Sequence, residues 1–202
     1  MWVVKLGGSL FDSDHLSNWL ALLAQAGSTV IVPGGGPFAD QVRRAQRRWR
    51  FDQSSAHNMA LLAMEQFGRM VCGVQPGLRA AASRSQVAEV LARGETPVWL
   101  PSAMVMAESA IEHSWGVTSD SLAVWLCGEL GIGRLLLVKS APLQGARIAV
   151  AELEESGMID SQFGAYLRQT PIRAWVLSAG EHGRFPALHQ GDASLATEIV
   201  TT

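Results

Sequence analysis

A chain of 202 residues, 48% hydrophobic and only 17% charged, is long enough to bury a substantial core and too apolar for a disordered tail. Its net charge of −2 excludes a strongly basic nucleic-acid binder, and no window reaches the ~18 uninterrupted apolar residues of a membrane span. Two cysteines, Cys72 and Cys127, lie in apolar surroundings with no CxxC or Cys/His cluster, which predicts reduced thiols in a cytoplasmic protein rather than a disulfide or metal framework.

The chain opens on a strand-like run over residues 2–6, with no basic region and apolar stretch of the kind that forms a signal peptide. That run leads into Lys5-Leu6-Gly7-Gly8-Ser9. Two glycines after a buried strand let the backbone approach an anion, and their N–H groups with the Ser9 hydroxyl can nest phosphate oxygens. A tight turn needing positive φ is the plainer alternative. Ser13 or Asp14 can cap a helix running to about Ala26, with Leu16, Trp19, Leu20 and Leu23 on one face and Gly27 as its stop.

A second strand is expected over Thr29–Val32, followed by Pro33-Gly34-Gly35-Gly36 and a helix from Pro37 to about Trp49. Three glycines surrender backbone entropy that an ordinary turn rarely gives up, and a polyanion at the helix N-terminus accounts for it. Gly34-x-Gly36-x-x-Ala39 also matches the dinucleotide fingerprint in letter. Pro33 and Pro37 lack donors, however, and no acid closes an apolar strand ~20 residues on, so a Rossmann dehydrogenase is disfavoured. Arg43, Arg44, Arg47, Arg48 and Arg50 crowd the end of this helix. They read as a solvated face favoured by the helix dipole, or one or two of them reach an anionic acceptor or a partner subunit.

Ser54 or Ser55 begins a helix to about Cys72 that carries His57, Asn58 and Glu65. His57 reads as a hydrogen-bonded structural histidine or as a ligand contact. A loop or hairpin is expected over 73–83, a short helix over Ser83–Ala92, a strand over Pro97–Leu100 and a loop over 101–117. Hydroxyl and carboxylate groups then cluster in Ser114-Trp115-Gly116-Val117-Thr118-Ser119-Asp120-Ser121, where Thr118 can cap a helix to about Leu130. Asp120 either complements the helix dipole or holds two cations in place.

A strong strand, Arg134–Val138, ends in Lys139-Ser140. The chain has 14 arginines but only two lysines, and Lys5 and Lys139 both close apolar strands, where a compact point charge is wanted. A helix over Asp160–Leu167 and strands over Arg173–Leu177 and Leu195–Val200 complete the chain. His15, His113, His182 and His189 show no metal spacing, and no protein-held metal is expected. Trp99, Trp125 and Trp175 read as core or subunit-interface residues.

Near-continuous hydrophobic strands are the mark of strands covered on both faces. They predict an α/β class fold, a three-layer α/β/α sandwich with a mostly parallel central sheet, in one domain over 1–202. Lys5, the two glycine turns, Asp120 and Lys139 then fall at strand carboxyl ends, where parallel sheets bind ligands.

KLGGS at the start, PGGG about 28 residues later, TSDSLA before a helix, VKS after a late strand and the closing Ala196-Thr197-Glu198-Ile199 together resemble the amino acid kinase superfamily, in its usual order. The string SWGVTSDSLAVWL is closer to one branch, the small archaeal-type kinases of methanofuran-type cofactor biosynthesis. The resemblance implies the amino acid kinase fold and transfer of the γ-phosphoryl group of ATP, with Mg²⁺ carried on the nucleotide phosphates, to a small phosphate or carboxylate acceptor. In that branch the acceptor is a phosphomonoester such as aminomethylfuranylmethyl phosphate. It implies catalytic roles for Lys5, Asp120 and Lys139. Gly7, Gly8, Ser9, Lys139 and Ser140 fall on the nucleotide side, and Gly34, Gly35, Gly36, His57, Thr118 and Ser119 on the acceptor side. Where many members carry a Gly-Met-x-x-Lys lysine, Gly157-Met158 is followed by Ile159, Asp160 and Ser161, leaving Lys139 or a divalent cation to stand in. A homo-oligomer is expected, with no nucleic-acid or membrane partner. The alternative is a non-catalytic nucleotide- or oxyanion-storage relative of the same fold.

Overall fold

The computed structural model describes residues 1–143 and 145–201. In chain order the elements are β1 (Trp2–Leu6), α1 (Leu16–Ala26), β2 (Thr29–Pro33), α2 (Gly36–Trp49), α3 (Gln53–Val74), β3 (Leu78–Ala81), α4 (Arg84–Ala92), β4 (Thr96–Trp99) and α5 (Ser102–Val105). They continue with α6 (Ser119–Leu130), β5 (Arg134–Lys139), β6 (Arg147–Ala149), α7 (Val150–Glu155), α8 (Phe163–Gln169), β7 (Arg173–Ser178), α9 (Phe185–Gln190) and β8 (Thr197–Val200).

Among the described residues eight strands form one sheet in the order β3-β4-β2-β1-β5-β7-β8-β6. Every pairing is parallel except β7 with β8. The fold is the α/β sandwich of the expected kind. β1 lies between β2 and β5, so the strand order reverses there, and the carboxyl end of β1 is the switch point at which such sheets hold ligands.

Strand parity decides what reaches that point. Successive side chains of a strand point to opposite faces. Trp2, Val4 and Leu6 pack with Leu136 and Val138 against Trp19, Leu23 and Phe185. Val3, Leu135 and Leu137 pack on the other face against Leu122, Val124 and Leu126 of α6. Lys5 shares the parity of Val3, and Lys139 that of Leu135 and Leu137. Both lysines therefore emerge on the α6 face, with Lys5 opposite Leu137 in the β1–β5 register.

Several expected boundaries move. The first helix begins at Leu16, because Gly8–Asp12 forms a separate 3₁₀ turn and Ser13 Oγ accepts from the His15 N–H. The third helix is capped by Asp52, whose carboxylate accepts from the Ser55 N–H at 2.8 Å. The segment expected as a loop over 73–83 contains β3, an edge strand of four residues whose middle pair is exposed and gives little periodic signal. β6 and α7 were not foreseen, and the helix expected from Asp160 begins at Phe163. Trp99 and Trp175 are buried, and Trp125 packs 5.9 Å from Trp99, between ring centres.

Candidate active site

The amino end of α6 is aimed at the two lysines. Lys5 Nζ and Lys139 Nζ both lie 2.8 Å from the same oxygen, Asp120 Oδ1. All three residues are buried, at 4%, 8% and 5% exposure. Burial opposes ionisation of Asp120, but the two ammonium groups outweigh it and hold its pKa at about 2. Burial and the like charge of Lys5 push Lys139 down to about 8, against the pull of Asp120. Lys139 Nζ also donates to the Met158 carbonyl at 2.6 Å.

A cavity of about 600 Å³ opens beside this cluster. Lys5, Gly8, Ser9, Gly35, Gly36 and Asp120 line it, as do His57, Thr118 and Ser119. Lys139 and Ser140 do not line it. Lys139 stands behind Asp120, and Ser140 is exposed with its hydroxyl 3.0 Å from Ser9 Oγ. Gly7 and Gly34 do not line it either; their N–H groups donate to Val138 O and Leu6 O. Gly34 is needed for close approach, since a Cβ there would stand 2.4 Å from Gly8 N. A Cβ on Gly8 would meet Gly36 N at 2.5 Å, and Gly36 itself has φ +51°. The two glycine turns thus interlock, backbone against backbone.

Of the five arginines, Arg43 turns to the cavity, while Arg44, Arg47, Arg48 and Arg50 are exposed. Its guanidinium lies 4.3 Å over the Trp115 ring and 3.0 Å from Asp40 Oδ1. Trp115 is fixed in turn by donating from Nε1 to Gln46 Oε1 at 2.7 Å. His57 is buried and stacks flat on His113, with 4.8 Å between ring centres. Its Nε2 has no hydrogen-bond partner among the described residues, and burial, then His113, lowers its pKa.

Sequence reasoning missed Asp160 as anything but a helix start. Its Oδ2 accepts from Thr118 N at 2.9 Å, Thr118 Oγ1 at 2.8 Å and Ser121 N at 3.0 Å, and its Oδ1 accepts from Ser121 Oγ. Thr118 occupies the N-cap position of α6, but Asp160 supplies the capping acceptor from 42 residues away. Nothing local in the sequence marks such a contact.

The profile of the amino acid kinase family matches residues 1–142. The chain belongs to the amino acid kinase family. It is 25% identical over 212 residues to the [5-(aminomethyl)furan-3-yl]methyl phosphate kinase of Methanocaldococcus jannaschii, covering 99% of this chain and 98% of that protein. In fold it resembles the uridylate kinase of Archaeoglobus fulgidus, with a TM-score of 0.72 at 15% identity, covering 98% of this chain and 99% of that one. The UMP kinase of Bacillus anthracis gives 0.72 at 17% identity, over 98% and 94% of the two chains. As a member of the amino acid kinase family the chain is a phosphotransferase.

Four carboxylates line the cavity: Asp40 is engaged by Arg43, Asp120 by two lysines and Asp160 by the start of α6, and Asp12 is the fourth. No group of three or more His, Cys, Asp or Glu suited to a metal ion occurs among the described residues. The donors present, ammonium, guanidinium and backbone N–H, suit phosphate oxygens.

Proposed function

We propose that this amino acid kinase transfers the γ-phosphoryl group of ATP to the phosphate of a small phosphomonoester, of the aminomethylfuranylmethyl phosphate kind, in methanofuran-type cofactor biosynthesis. The observation that carries the reading is the convergence of Lys5 and Lys139 on Asp120 at 2.8 Å beside the interlocked glycine turns. The acceptor class is drawn from the methanogen kinase that matches the whole chain.

In this reading Gly8 and Ser9 hold the nucleotide phosphates, and Gly35 and Gly36 meet the acceptor. An acceptor phosphate oxygen attacks the γ-phosphorus, the bond to the β,γ-bridging oxygen breaks, and ADP departs. Lys5 neutralises charge on the transferring group, while Asp120 holds Lys5 in position. Lys139 sets the field from behind. Magnesium on the nucleotide phosphates supplies further neutralisation. Phosphoryl transfer needs positioning and fixed charge more than a covalent partner, which is what this cluster offers. In this reading Arg43, flattened on Trp115 and lining the cavity, pairs with the acceptor's phosphate. The free thiols Cys72 and Cys127 fit the cytoplasm. Exposed Met59 and Leu62, one turn apart on α3, favour association with a second copy.

ADP release is to be measured with ATP-Mg²⁺ and a panel containing [5-(aminomethyl)furan-3-yl]methyl phosphate, UMP and simple carboxylates. Release should depend on the furan phosphate. Lys5→Ala and Asp120→Ala should each lower turnover about 10²-fold or more, as removal of one preorganised charge does elsewhere. Arg43→Ala should raise the acceptor KM about 10-fold and leave the ATP KM alone. Nucleotide binding with no acceptor-dependent turnover, or full activity in both Lys5→Ala and Asp120→Ala, would refute the reading.

A further inference from the structure

We propose that Asp160 is a positioning residue for the transfer site: by tying the 158–160 loop to the amino end of α6 it fixes Asp120, and with it both lysines. The inference rests on the kinase reading above.

The geometry is a two-point clamp. One loop holds α6 through the Asp160 carboxylate and holds Lys139 through the Met158 carbonyl. Asp120 is the second residue of α6, between Thr118 and Ser121, the two residues that Asp160 engages. A shift of α6 therefore moves Asp120 away from Lys5. The first N–H groups of a helix have no intrahelical partner and need an acceptor. Ordinarily the N-cap hydroxyl provides it. Here the Thr118 hydroxyl donates to Asp160 instead, so the helix start is referenced to a distant loop rather than to itself. That same loop, Gly157-Met158-Ile159-Asp160-Ser161, carries no lysine. In this chain the loop contributes alignment of Lys139 in place of a charge of its own. Asp160 also lines the cavity, but its oxygens are already taken by the helix start, so it acts through Asp120 rather than on substrate.

The test compares Asp160→Ala, Asp160→Asn and Asp160→Glu in the full chain. Asparagine keeps an acceptor at the same reach, alanine removes it, and glutamate displaces it by one methylene. Asp160→Ala should lower kcat at least 10-fold per folded molecule, with both KM values within about 3-fold of the unaltered protein. Asp160→Asn should recover most of that loss, and Asp160→Glu should behave like alanine. If the alanine form does not fold, the Asn–Glu contrast carries the test. Loss of thermal stability with kcat unchanged would overturn the proposal, as would a rise in acceptor KM above 10-fold that asparagine fails to rescue. If the unaltered protein turns over none of the acceptors, the kinase reading fails instead. The clamp is then read from amide hydrogen exchange: Thr118 and Ser121 should exchange faster in the Ala form and stay protected in the Asn form. Unchanged protection in both would sink it.

Discussion

Lys139 carries a charge in a place that penalises it. Its pKa of about 8 lies below the ~10.4 of a free lysine. Between those values the unfolded chain binds the proton and the folded one does not, so stability rises as pH climbs from about 8 toward 10.4. Turnover should move the other way, falling as pH passes 8, because Asp120 then keeps only one cation beside it. A kcat profile and a urea series over pH 7–10 should therefore diverge, and a kcat flat through that range would remove Lys139 from the charge arrangement. Asp120 contributes the acid limb: its pKa is depressed to about 2, so its stabilisation is complete above ~4 and is lost as pH falls toward 2. Both lysines and Asp120 stood out in the sequence, since a chain that otherwise uses arginine kept lysine at two strand ends. Asp160 did not, because its partners lie 39 and 42 residues away and its own neighbourhood reads as a helix start.

At the scale of elements, the two glycine turns behave as one part. Gly34→Ala would drive a Cβ to 2.4 Å from Gly8 N, a backbone atom that cannot move aside cheaply. We expect a stability loss of about 1–3 kcal/mol in urea denaturation, together with lost nucleotide affinity. A substitution at Gly133, with no atom within 4 Å of an added Cβ, should cost far less. The glycine runs were legible as anion turns, yet the sequence did not say that they touch each other. Elements with a strong apolar run, β1, β2, β5 and β7, were placed within a residue or two. β3 and β6 were lost because a strand of three or four residues at a sheet edge is half exposed and leaves no continuous apolar signature.

For the whole molecule, Met59 and Leu62 remain 40% and 50% exposed on α3, and Trp49 on α2 is 73% exposed. Large apolar side chains left open in this way favour self-association. Light scattering should give a mass that is a multiple of 21.7 kDa, and Leu62→Glu should lower it. A single 21.7 kDa species at every concentration would rule the association out.

Local chemistry, held by adjacent residues, was readable from the sequence alone: buried strands, turns that favour anions, two singular lysines, and the kinase resemblance these motifs carry. Folding in three dimensions decided the rest. Side-chain parity put Lys5 and Lys139 on one face of the sheet, strand order set β1 at the reversal, and Arg43 alone of its cluster came to rest on Trp115. The loop at Asp160 met the start of α6 only because packing brings distant segments together, and separation along a chain does not encode that distance.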